Sequence, residues 1–113
     1  MLRVVVTPEA ITLDGRPALI QAGALHYFRL PHAGLWSPVL DRIRMGGLNA
    51  VLVPLPWSYH SPEAGFHDFT GPRDLGRLFD DVERAGLWLI PHLGPWVGAG
   101  LDAGGLPAWA LAL

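Results

Sequence analysis

Catalysis needs carboxylates, imidazoles, hydroxyls or thiols gathered at one place, and this chain gathers few of them. The stretch that looks most like a site is GPWVGAGLDAGGLPAW, residues 94–109, which follows the apolar run GLWLIPHL. Loops at the ends of buried strands are where α/β enzymes keep their reacting groups. This loop holds a single carboxylate, Asp102, which reads as a solvated loop residue. Trp57 and Trp96 have flat faces that could stack on a ligand or simply pack. His26 and Tyr27 end the first strand of a parallel series and read either as inner-layer hydrogen-bonding residues or as part of a substrate wall. His60 and His92 have no Asp, Glu or His at ligand spacing, so no metal site is expected. GAGLDAGG follows a strand but does not fit the G-x-G-x-x-G phosphate-cradling pattern, and no cofactor is expected. The absence of cysteine excludes thiolate chemistry and disulfides.

Composition narrows the class. Half of the 113 residues are apolar and 16% are charged, as in a core-forming sequence. The net charge is −2, with no basic block, which argues against nucleic acid or an anionic membrane as partner. All basic residues are arginine. No stretch approaches the ~18 apolar residues of a membrane span. The three-valine run near the N-terminus is too short for the apolar core of a signal peptide, which favours the cytoplasm.

The elements follow from periodicity. Asp14-Gly15 between apolar runs predicts a hairpin with strands at about 9–13 and 17–25, because a type I′ turn needs positive φ at both central residues. LWSPVLDRIRMGG places Leu35, Val39, Leu40 and Ile43 at helical spacing and stops at Gly46-Gly47. LNAVLVPLPW reads as a strand, and YHSPEAGFHDFTGP as a loop because Pro and Gly punctuate it. RDLGRLFDDVERAG is an amphipathic helix with Leu75, Leu78, Phe79 and Val82 on its apolar face. Asp80, Asp81 and Glu83 read as helix-surface charges, and Glu63 as a loop charge. LWLIPHL is the next strand. The pattern is βαβαβ with near-continuous apolar strands, as expected of a parallel sheet covered by helices. A complete (β/α)₈ barrel takes about 250 residues, so the fold class expected is α/β, a partial barrel of about three strands and two helices preceded by a β-hairpin.

The ordered segments AGALHYFRLP, GLNAVLVPLPWSYHSPEAGFHDFTGPRDLGRLFDDVERAGLWLI, GPW and GGLPAW resemble the start of the catalytic barrel of family 35 glycoside hydrolases, the β-galactosidases. The likeness runs from about Leu13 to Leu113, with one inserted residue between Pro31 and Trp36. It implies a retaining glycosidase that removes terminal β-galactose, using two carboxyls about 5–5.5 Å apart. In the family both are glutamates after the fourth and seventh barrel strands, so none of the residues here is expected to be catalytic. The chain is expected to supply substrate-binding wall: Tyr27, Pro54, Trp57, Trp96, Gly98, Ala99 and Gly100. Several of these depart from the family pattern. Pro54 stands where a sugar-touching Tyr is usual, and Gly98-Ala99-Gly100-Leu101 where Cys-Ala-Glu-Trp is usual. Trp96 replaces a Tyr, Ser61 the acid of His-Glu-Pro, and His92 an Arg. Losing a charged Glu and a Tyr together would weaken galactose recognition by roughly 10²-fold at ~1.4 kcal/mol per decade.

Three readings follow. The chain is the N-terminal portion of a β-galactosidase-like enzyme, inactive alone. Or it is a non-catalytic carbohydrate-binding or interaction module, or a gene relic, derived from that family. Or it is an unrelated small α/β protein, which open sheet edges disfavour. Those edges also predict poor independent stability and self-association.

Overall fold

The computed structural model describes all 113 residues. The chain opens with three short antiparallel strands, β1 (Val4–Val6), β2 (Ile11–Leu13) and β3 (Arg16–Ala18), in the order β1-β2-β3. Asp14 and Gly15 form the predicted turn, with φ of 49° and 80°. The Asp14 carboxylate accepts the Arg3 backbone N–H at 2.8 Å, which ties β1 to the turn. The expected hairpin is therefore two strands of a three-stranded sheet. The valine run adds the third, because Val4 to Val6 register against Leu13 to Ile11.

The expected strand over 17–25 is two strands. Residues 16–18 belong to the antiparallel sheet, whereas β4 (Ala22–Ala24) opens a separate parallel one. Asn49 fixes the break between them. Its Oδ1 accepts the Gln21 N–H and its Nδ2 donates to the Leu19 carbonyl, each at 2.8 Å.

The parallel sheet continues through β5 (Ala50–Pro54) and β6 (Trp88–His92), in the order β4-β5-β6, with Ala50 opposite Trp88 and Pro54 opposite His92. Parallel neighbours need a crossover. Here α1 (Trp36–Met45) connects β4 to β5, and α3 (Leu75–Arg84) connects β5 to β6. Between them α2 (Trp57–His60) occupies part of the expected loop; four residues are too few to display a helical period. A last turn, α4, spans Ala108–Leu111. The Asp74 side chain caps α3 by accepting the Arg77 N–H at 3.0 Å.

The core lies between the sheet and the two long helices. Val51, Val53, Leu25 and Leu87 meet Trp36 and Leu40 of α1, Leu78 and Val82 of α3, and Tyr27. Side chains alternate across a strand, so Val51 and Val53 face the helices while Ala22, Ala24, Leu52, Ile90 and His92 take the opposite face. Ala22, Ala24 and His92 are exposed there. Asp81 departs from its expected surface position: it is buried, and its carboxylate pairs with Arg84 one turn on, where burial of a charge demands a partner. No helix is long and apolar enough to cross a membrane.

Candidate functional site

Strands β4, β5 and β6 point the same way, so Ala24, Pro54 and His92 end along one edge of the sheet. The segments that follow each strand meet there. The first is a 3₁₀ turn, Tyr27–Arg29, the second is α2, and the third is the glycine-rich loop of residues 93–107.

Tyr27 is fully buried. Its hydroxyl lies 2.6 Å from His60 Nε2, while His60 Nδ1 lies 2.9 Å from the Asp68 carbonyl oxygen. A carbonyl can only accept, so Nδ1 carries the proton and Nε2 accepts from the tyrosine O–H. Burial lowers the imidazole's pKa and raises the phenol's well above its ordinary range; Tyr59 adds to the latter and Arg73 opposes it. The His60 ring also stacks on Phe69, 4.9 Å between centroids. Tyr27 thus lies in the core and ties the second strand-end segment to the first through His60.

The adjoining loop is braced by charge. Asp68 accepts from the Thr70 hydroxyl at 2.7 Å and the Thr70 N–H at 2.9 Å, and these bonds hold its carboxyl below the usual range. Arg73 sits 4.0 Å from Asp68, lies over the Tyr59 ring and donates to the Tyr59 carbonyl.

The third loop is a run of left-handed backbone. Gly98, Ala99, Gly100, Ala103, Gly104 and Gly105 all have positive φ. At Gly104 a β-carbon would lie 2.3 Å from the Trp96 ring. Only glycine fits there, and Trp96 lies over it with 63% of its surface exposed. Arg29 crosses from the first segment: one nitrogen bonds His26 Nδ1 and another donates to the Ala99 carbonyl. Desolvation, then the Arg29 charge, lowers the His26 pKa, consistent with an unprotonated Nδ1 that accepts. Trp57 meets Trp109 edge to face at 5.2 Å, and Trp109 Nε1 donates to the Ser61 carbonyl at 2.8 Å.

The structure therefore brings Trp57, Trp96, Gly98, Ala99 and Gly100 to the strand-end edge. Pro54 lies buried at the end of β5 and Tyr27 in the core. His92, also on this edge, is exposed. Arg29 was not singled out from the sequence; only its partner, 70 residues away, reveals it. Of ten acidic residues, Asp102 alone lies in the glycine-rich loop. No group of three His, Cys, Asp or Glu is placed to hold a metal ion. A depression of about 460 Å³ lies elsewhere, between Glu9–Ile11 and Pro17–Ile20, and gathers no convergent polar groups.

Comparison with known proteins identifies the family. Residues 10–113 match the model of glycosyl hydrolases family 35. The beta-galactosidase-1-like protein of Mus musculus is 42% identical over 103 residues, which are 91% of this chain and 16% of that protein. The beta-galactosidase of Mus musculus is 40% identical over 98 residues, covering 87% of this chain and 15% of that protein. A probable beta-galactosidase C of Aspergillus niger is 39% identical over 100 residues, covering 88% and 10%. The chain thus spans about a sixth or less of the length of the curated relatives it matches. A match over residues 10–113, nearly the whole length, means that this chain belongs to glycosyl hydrolases family 35.

Proposed function

We propose that this chain forms part of the sugar-binding wall of a β-galactosidase-like glycoside hydrolase, acting on terminal β-galactosides by a retaining mechanism, and that it holds neither catalytic carboxyl. The observation that carries the reading is the shared edge of β4, β5 and β6. It gathers an exposed indole and a glycine-rich loop, with Asp102 as that loop's one acid. A retaining glycosidase needs two carboxyls about 5–5.5 Å apart.

The sheet is read as one arc of a (β/α)₈ barrel. Its strands pair in chain order and its two long helices cover one face. One half of a doubly wound sheet would pair in the same order, so the family match is what favours the barrel. Ala22, Ala24 and His92 would then face the barrel interior.

The test is incubation of the chain with a chromogenic β-galactoside. No turnover above the blank is expected, and measurable turnover would overturn the assignment of both carboxyls elsewhere. Methyl β-D-galactopyranoside should still shift the Trp96 indole resonance. The reading as a non-catalytic sugar-binding module shares that second expectation; it gains ground if binding is as tight in this chain as in a longer form carrying both carboxyls.

A further inference from the structure

We infer that Arg29 makes this wall a subsite for an anionic sugar, one bearing a carboxylate or sulfate, and this rests on the sugar-wall reading above. Arg29 is exposed at the C-terminal edge of the parallel sheet, beside the glycine-rich loop. Its guanidinium is held at two points, by His26 Nδ1 and by the Ala99 carbonyl. Both partners are neutral. The chain's two acid–arginine pairs, Arg73–Asp68 and Arg84–Asp81, lie elsewhere, so no carboxylate compensates Arg29.

This sets Arg29 apart from the other seven arginines. Arg73 and Arg84 are neutralised; Arg77 lies over the Trp36 ring, as Arg29 lies over that of Phe28, but like Arg3, Arg16, Arg42 and Arg44 it makes no side-chain hydrogen bond that would fix it. Arg29 alone is both fixed by side-chain hydrogen bonds and uncompensated. A guanidinium has five N–H donors, and two are engaged, which leaves three. Gly100 keeps the approach open, since even a β-carbon there would lie 3.2 Å from Nη2. A fixed planar fork with free donors suits carboxylate and sulfate oxygens, and charge-assisted bonds are about twice as strong as neutral ones. Trp96, exposed on the same loop, offers the apolar face on which the ring of such a sugar would lie.

The probes are methyl β-D-galactopyranoside, methyl β-D-galactopyranosiduronate, the 6-sulfate of the galactoside, and acetate or sulfate alone. Each is titrated into the 113-residue chain while the Trp96 indole resonance is followed. The expected result is that at least one anionic sugar binds about tenfold or more tightly than the neutral galactoside. That preference should shrink in 0.5 M NaCl and vanish in R29Q, and the choice between uronide and sulfate identifies the source of the charge. If R29Q does not fold, the salt titration of the unaltered chain decides alone. Equal binding of neutral and anionic sugars overturns the inference and leaves the sugar-wall reading standing. Free acetate or sulfate binding as well as its sugar overturns the sugar as ligand. No shift with any probe overturns both.

Discussion

At the scale of single residues, the buried Tyr27–His60 pair ties two strand-end segments together. The tyrosine O–H donates to a buried imidazole whose other nitrogen is spent on a backbone carbonyl. Tyr27→Phe leaves Nε2 buried without a donor, and the expected cost is about 1–3 kcal/mol in denaturant unfolding. The same pair sets a pH dependence. The folded-state pKa of His60 lies below the ordinary 6.5, so below that pH the unfolded chain binds more protons and stability falls. The loss is complete once the pH passes below the folded value. Asp68, also lowered, holds stability that is present above its ordinary 3.8 and lost as the pH falls through its folded value. The melting temperature should fall between pH 7 and 5, and His60→Gln should flatten that slope. His26, lowered too, accounts for what slope remains. A slope unchanged in the variant would remove His60 from the account.

At the scale of elements, caps and turns carry the geometry. Asp74→Ala removes the α3 cap and should cost about 1 kcal/mol, read as a drop of roughly 4 °C or more in melting temperature. Gly104→Ala forces a β-carbon into the Trp96 ring at a φ of +63°. The loop must then rearrange, which should appear as a changed Trp96 emission with little change in helix content; an unaltered spectrum would mean that the ring does not rest on Gly104. What the sequence revealed follows the same division. The Asp14-Gly15 turn, both long helices and the two apolar strands were legible because each has a local signature. The break after Ala18 was not, since Leu19, Ile20 and Gln21 hold no Pro or Gly and the Asn49 clip acts from 28 residues away. Trp36, the largest fully buried side chain, was missed because it sits one residue past the Leu35 that begins the readable period. Among the strand-end residues, the aromatic and glycine positions were marked by resemblance to the family and Tyr27 carried an inner-layer reading beside the substrate-wall one, whereas the role of Arg29 depends on a contact 70 residues away.

At the scale of the whole molecule, the parallel sheet is open on both sides. The radius of gyration is 15.7 Å, against about 13 Å for a compact domain of this length. The principal extents are 46 × 34 × 25 Å, and 21 of 113 residues are buried. β4 and β6 each pair on one side only, so the parallel sheet has two free edges. Leu93 and Trp96, beyond β6, are 67% and 63% exposed. Unpaired backbone donors and acceptors beside apolar surface are a template for another strand. The chain should therefore self-associate with rising concentration, seen as a weight-average mass above 12.2 kDa in sedimentation equilibrium. Ile90→Lys places a charge on the sheet face opposite the core, at an edge strand, where lysine commonly blocks pairing. That variant should shift the equilibrium toward monomer while leaving Val51, Val53 and the helices packed. If the mass stays at one chain across the concentration range, the edges are protected by something other than a neighbouring strand. If the variant associates as strongly as the parent, the contact lies elsewhere, and the exposed valines of β1 become the surface to alter next.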